Sequence, residues 1–132
     1  MQDRDEEIVR RVRAGYDAFN RGDFDEAASM MHPDVEYISV AGEAPIRGRA
    51  ALRAWMEPNA WDRQTVEPLD ITVAGNKLLM RTRTRARGAG SGIEMEVESW
   101  SVWTLADDLL VTRIETYLAH DEAKARAAVA RP

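Results

Sequence analysis

Eight consecutive residues, His32, Pro33, Asp34, Val35, Glu36, Tyr37, Ile38 and Ser39, hold a histidine, two carboxylates, a tyrosine and a serine. No other segment mixes so many proton-transfer groups, and the chemistry they suggest is general acid and base catalysis, which depends on the identity and placement of each group. His32 is the best single proton carrier, because an imidazole titrates near neutrality. A second acid and phenol stand together in RIETYL, where Glu115 and Tyr117 flank Thr116. A third constellation is Arg81, Arg83, Arg85 and Arg87, which at a spacing of two lie on one strand face and suggest an anion clamp. Across GAGSG, however, Glu94, Glu96 and Glu98 repeat at the same spacing. Cross-strand pairing of opposite charges on a solvated face is therefore the favoured reading, each pair being worth less than about 1 kcal/mol. His120 precedes the last helix, where a surface role is expected. The histidines and acids have no metal-ligand spacing, so no metal is expected. GAGSG leads into a strand rather than a helix, unlike a phosphate-binding loop.

The elements that must position these residues follow from hydrophobic period. Ile8, Val9, Val12, Tyr16 and Phe19 recur at helical spacing, and NRGD supplies the stop. Asp23 is placed to cap a short second helix carrying Phe24, Ala27, Ala28 and Met31, ended by Pro33. A strand follows over Val35 to Val40, and the loop AGEAPIRG leads to a third helix, Arg49 to Glu57, with Leu52, Trp55 and Met56 on one side and Pro58 as its stop. The period then changes to two. Four strands are predicted at Gln64 to Ala74, Leu78 to Arg87, Glu94 to Thr104 and Leu110 to Leu118, joined by short turns as an antiparallel meander, with a final helix over Asp121 to Val129. Helices first and sheet afterwards is an α+β pattern with helices covering one sheet face.

The chain has 132 residues, no cysteine and a net charge of -5. This length predicts one domain, residues 1–132, able to bury a core without disulfides or metals. Thiol chemistry and zinc thiolate sites are excluded, and nothing argues for an oxidising compartment. The acidic balance gives no footprint for nucleic acid. The beginning MQDRDEEIVRR is charged and lacks an apolar core, so neither a signal peptide nor a membrane span is expected, and a cytoplasmic location is the default.

Four segments in order, YDAFNRGDFDEAASMMHPDVEY, RGRAALRAW, RGAGSGIEMEVESWSVWTL and RIETYL, resemble the SnoaL-like, polyketide cyclase-like branch of the nuclear transport factor 2-like superfamily over nearly the whole chain. The resemblance implies a cone-shaped fold, in which a curved antiparallel sheet wraps around N-terminal helices and encloses a pocket, in proteins that are often dimeric. It implies no single activity, since the same frame hosts ketosteroid isomerase, limonene epoxide hydrolase, polyketide cyclases and non-catalytic binders. Function must come from the site. By this resemblance the aspartate base of the isomerases falls at Ser39, their oxyanion-hole acid near Ser101, and their helix-one tyrosine near Gly15, one residue from Tyr16. Serine cannot serve as that base, which disfavours isomerase chemistry of the known type. The acid of the hydrolase and cyclase members falls at Thr116 if Tyr117 is matched to their tyrosine. It falls at Glu115 if the register shifts by one, because such a slip turns every side chain over. The apolar pattern favours Ile114, Thr116 and Leu118 inward, and both registers stay open.

With the charge ladder outward, Thr82, Thr84, Val97, Ser99 and Ser101 turn inward beside Tyr16, Phe19, Tyr37, Trp55 and Trp103. That is a largely apolar cavity with a few polar anchors, the usual make-up of a small-molecule site. The candidate ligand-binding residues are Phe19, Ser39, Trp55, Ser99, Ser101, Trp103 and Thr116; the candidate proton carriers are His32, Tyr16, Tyr37 and, in the shifted register, Glu115. Ser39 and Thr116 are expected to face the cavity, and Glu36 and Glu115 solvent or a partner subunit. The expected function is binding of a lipophilic small molecule. The alternative is an enzyme of cyclase, isomerase, dehydratase or epoxide-hydrolase type working by acid-base catalysis without a cofactor. Trp100, Val102 and Tyr117, facing outward, predict an apolar patch and a homodimer through the outer sheet face. In the opposite phase Trp100 faces inward and Trp103 outward.

Overall fold

Helix α1 (Gln2–Asn20) carries its apolar residues on one side, and Ile8 and Val12 are buried beneath it. It stops where Gly22 adopts a positive φ of 83°, a conformation glycine takes without strain. Asp23 then caps α2 (Phe24–Ala28), its carboxylate accepting the N–H of Glu26 at 3.1 Å. A computed structural model describes residues 2–39, 44–57 and 61–131, with residues 2 and 61–63 described by their backbone alone. Val40, residues 41–43 and Pro58, predicted as strand end, loop and helix stop, lie outside the described residues.

Strand β1 (Met31–Ser39) begins four residues before the predicted Val35 and runs through Pro33, which is therefore a strand residue and not the stop of α2. A register shift between Met31 and Glu36 accommodates it, as a proline lacks the N–H that a regular ladder needs. A two-residue strand, β2 (Ile46–Arg47), pairs with Glu36 and Tyr37 and was not predicted. After α3 (Arg49–Met56) come β3 (Trp61–Ala74), β4 (Lys77–Gly88), β5 (Glu94–Leu105) and β6 (Val111–Leu118), each antiparallel to the next. A 3-10 turn (Ala119–Asp121) leads into α4 (Glu122–Ala130).

The strand order is β2-β1-β6-β5-β4-β3. The sheet is antiparallel except where β6 returns beside β1, with Tyr37 opposite Ile114 and Ser39 opposite Thr116 in a parallel pair. Parallel neighbours need a long crossover, which the whole meander provides. Further register shifts, one between Pro68 and Asp70 and one between Thr104 and Leu105, are the kind of irregularity that bends a strand.

The sheet has two covered faces. On the concave side, Ile8, Val12, Val35, Leu52, Leu78, Met80, Trp103 and Ile114 form the main core. On the other side, α4 lies over Leu79, Trp100 and Val102 with Ala125 and Ala128. Trp100 is only 8% exposed and Val102 0%, so the apolar patch predicted to receive a second copy is occupied by the chain's own last helix. Alanines make this possible, since small side chains let the helix approach closely. Buried Lys77 donates through Nζ to the carbonyl of Ala128 at 3.2 Å, and the Arg126 guanidinium lies 5.4 Å from the Trp100 ring centre.

The remaining outer face carries the charge ladder. Arg83 reaches Glu96 at 3.1 Å, Glu67 at 3.4 Å and Glu98 at 3.6 Å, while Arg85 reaches Glu96 and Arg81 reaches Asp70, both at 3.1 Å. The third row of acids, from β3, adds to the two rows visible in the sequence.

Candidate functional site

A cavity of about 250 Å³ lies between the helices and the concave face of the sheet. Its helix side is apolar: Phe19 from α1, Met30 before β1, and Leu52 and Met56 from α3. Its sheet side is studded with hydroxyls, because alternate positions of adjacent strands point the same way: Thr82 and Thr84 from β4, Ser99 and Ser101 from β5, and Thr116 from β6. Two aromatic pairs frame it. The Tyr16 and Trp103 rings lie 5.9 Å apart, and the Tyr37 and Trp55 rings 4.9 Å apart, with Trp55 half exposed.

Most of these hydroxyls are already engaged. Thr82 Oγ1 and Ser99 Oγ share a hydrogen bond of 3.2 Å, and Thr116 Oγ1 donates to the carbonyl of Ile38 at 3.3 Å. Ser101 differs: the residue is 5% exposed, and its Oγ is buried with no hydrogen-bond partner among the described residues. Tyr16 and Tyr37 are the titratable side chains of the lining. Burial, with a smaller contribution from Tyr37, raises the Tyr16 phenol well above its ordinary value, which keeps it a neutral donor.

The cavity gathers Tyr16, Phe19, Tyr37, Trp55, Ser99, Ser101, Trp103 and Thr116 of the residues singled out in the sequence. His32, Ser39 and Glu115 are not part of its lining. His32 Nδ1 accepts the N–H of Asp34 at 3.0 Å, a local bond that engages the ring with its own strand. Ser39 stands at the end of β1, beyond Tyr37, the last residue of that strand in the lining. Val97 has the inward parity but is 46% exposed, as it lies outside the lining toward the hairpin end.

Strand β6 gives Ile114 and Thr116 to the cavity and Glu115 to the opposite face. Glu115 was expected to face solvent or a partner subunit, yet its side chain is only 9% exposed, and Arg131 bonds it at 3.1 Å from beyond the end of α4. Arg113 lies 3.7 Å away, and the Tyr117 hydroxyl donates to it at 3.3 Å. Glu36 joins the same chain of charges through Arg113 at 2.9 Å and Arg47 at 3.0 Å.

Sequence reasoning missed Met30, Gln64 and Val66 in the lining. The strand period offered a signal for the last two, since Gln64 and Val66 share one parity and pair with Ala86 and Thr84. Among the described residues no group of three or more histidine or acidic side chains is placed to hold a metal ion, and no helix is long and apolar enough to cross a membrane.

Residues 12–113 match the model of the SnoaL-like domain family. Among curated proteins none matches. Solved structures with the same fold include SalBIII, described as an epoxide hydrolase/cyclase-like enzyme with a role in pyran ring formation in the polyether salinomycin. It is 20% identical, with 89% of this chain and 93% of that chain covered and a TM-score of 0.77. TerC, co-crystallised with polyporic acid, is 19% identical over 89% of this chain and 95% of its own, with a TM-score of 0.73. RV0760c of Mycobacterium tuberculosis, in complex with estradiol-17beta-hemisuccinate, is 17% identical over 86% of this chain and 95% of its own, also at 0.73. Likeness at this level of identity establishes the nuclear transport factor 2-like fold.

Proposed function

Because the chain belongs to the SnoaL-like domain family, we propose that it is a small-molecule-binding domain that takes a lipophilic ligand of modest size into the cavity between its helices and its sheet. The observation that carries this reading is the make-up of the lining: apolar side chains and hydroxyls, with phenols as the titratable groups. Such a wall favours apolar surface and orients it with a few hydrogen bonds. A volume of about 250 Å³ suits a compact ligand of one or two rings. The ring-bearing ligands of TerC and RV0760c support the reading by example.

Acid-base catalysis is the less favoured alternative. It calls for a group that can take a proton at working pH, whereas Glu115 is held on the far side of the sheet by Arg131, and Tyr16 is kept protonated by its surroundings.

The test is a thermal-shift and tryptophan-fluorescence titration with neutral bicyclic aromatics, using Trp103 in the wall and Trp55 beside Tyr37 as reporters. Ligand at one hundred times its Kd should stabilise the protein by about 2.7 kcal/mol. Ser99→Phe, which pushes a ring into the cavity, should abolish the response, and Glu115→Gln should leave it intact. Equal binding by Ser99→Phe, or no response to any such compound, would sink the reading.

A further inference from the structure

We infer that the ligand is elongated, with a compact ring-bearing head inside the cavity and an unbranched alkyl chain that leaves the mouth and lies along Val97 and Met95 of β5, beside Leu118. This rests on the binding reading above. Among the described residues the exposed large apolar side chains are Trp55, Ile93, Met95, Val97 and Leu118. Trp55 belongs to the lining itself. Of the others, Val97 stands opposite Thr84 and Leu118 opposite Ser99, both partners being lining residues, and Met95 follows opposite Ala86. Alternate residues of a strand share a face, so Met95, Val97 and Ser99 point the same way, as do Thr116 and Leu118. Single apolar residues on a surface need no explanation, whereas a contiguous set that prolongs a cavity wall marks a site of contact.

The strip is left open because α1 stops short of it. Asn20, the last residue of α1, is tied to the backbone of Val66, donating to its carbonyl at 2.9 Å and accepting its N–H at 2.8 Å. Val66 pairs with Thr84, and Thr84 with Val97. The helix therefore covers the sheet up to this level and leaves the positions nearer the β4-β5 hairpin open. Their chemistry fits an alkyl chain, since the arginines and acids of these strands alternate to the outer face and pair there, while Ala86, Met95 and Val97 take the concave side. A strip about one strand wide suits a linear chain better than a further ring. These few side chains fall short of the about 20–30 residues a side that a standard interface takes, which argues against a second copy as the occupant.

The probes are 2-acetylnaphthalene and 2-hexanoylnaphthalene, which share a head and differ by four methylenes, titrated calorimetrically into the full chain. A fully buried methylene is worth about fourfold in affinity and a half-open one about twofold, so the hexanoyl compound should bind the parent at least tenfold more tightly. The triple variant Met95→Thr, Val97→Thr, Leu118→Thr changes exposed positions to a residue that suits a strand. There the ratio should fall to about threefold or less, while affinity for the acetyl compound changes less than about threefold. In methyl carbon-proton spectra the Met95 signal, assigned by its absence from Met95→Thr, should move with the hexanoyl compound and stay in place with the acetyl one. A tenfold ratio that survives the triple variant, or a Met95 signal indifferent to the chain, places the chain elsewhere and overturns the inference. So does a parent that self-associates, or sediments with phosphatidylcholine vesicles, where the triple variant does neither, since the strip then belongs to a second copy or a lipid surface. Acetyl binding with no gain from the longer chain overturns the inference alone, whereas failure of both probes to bind overturns the binding reading with it.

Discussion

Tyr16 occupies the cavity wall with its ring against Trp103, and enclosure there disfavours the phenolate. The unfolded chain has no such enclosure, and its tyrosines ionise near about pH 10. Below that pH both states keep the proton, so Tyr16 contributes no pH dependence. Above it the native state binds more protons than the unfolded one, and stability falls as pH rises. Tyr117 adds to the fall with the same sign, its phenol raised first by burial and then by Glu115. Urea midpoints measured from pH 8 to 11 should therefore be level up to about pH 9.5 and decline beyond, and Tyr16→Phe should make that decline shallower. A decline equally steep in Tyr16→Phe would count against an enclosed phenol. At this scale the sequence revealed which residues share a face, since Thr82, Thr84, Ser99 and Ser101 follow from strict alternation. It did not reveal where the cavity ends. Ser39 and Val97 have parities that match lining residues and yet lie past its limit, because extent is decided by which helices cover the strand.

Among the elements, the outer face of β3, β4 and β5 is held by charge as well as backbone. Arg83 is the centre of this ladder, touching Glu67 on one side and Glu96 and Glu98 on the other. Arg83→Ala leaves three carboxylates facing one another without their shared cation. The expected cost is about 0.5–1 kcal/mol at low salt, as befits partly exposed pairs. It should shrink in 1 M sodium chloride, where screening shortens the reach of each charge. Urea midpoints of parent and variant at both salt concentrations check this, and a cost independent of salt would assign the loss to packing of the arginine stem. The hairpin β4-β5 was legible because opposite charges repeat at period two on both sides of a glycine-rich turn. The pairing of β1 with β6 was not, since parallel partners 77 residues apart, such as Glu36 and Arg113, are chosen by tertiary packing rather than by any local pattern. Pro33 misled for a related reason: its ring ends a helix in most contexts, while a local register shift lets it sit in a strand.

For the whole molecule, the decisive element is the last one. An apolar outer face with Trp100 and Val102 is legible from alternation, and sequence alone assigns its cover to a second copy. The chain supplies that cover itself. Helix α4 buries Leu79, Trp100 and Val102, gives the Ala128 carbonyl to Lys77, and is followed by Arg131, which neutralises Glu115. Truncation after Asp121 removes all of these at once. Exposing three large apolar side chains at about 1.5–3 kcal/mol each implies a loss of several kcal/mol, a large part of a small domain's total of about 5–15 kcal/mol. It also uncovers a contiguous apolar patch beside Glu115, which keeps Arg113 at 3.7 Å but loses Arg131, and beside Lys77, which loses the Ala128 carbonyl. The truncated chain should therefore melt at least 10 °C below the parent and associate as concentration rises, as followed by calorimetry and light scattering. An unchanged melting point with no concentration dependence would mean that α4 is an appendage rather than part of the core. Where the shortened chain remains folded, its ligand preferences should persist, because the cavity belongs to the other face of the sheet and none of its lining comes from α4.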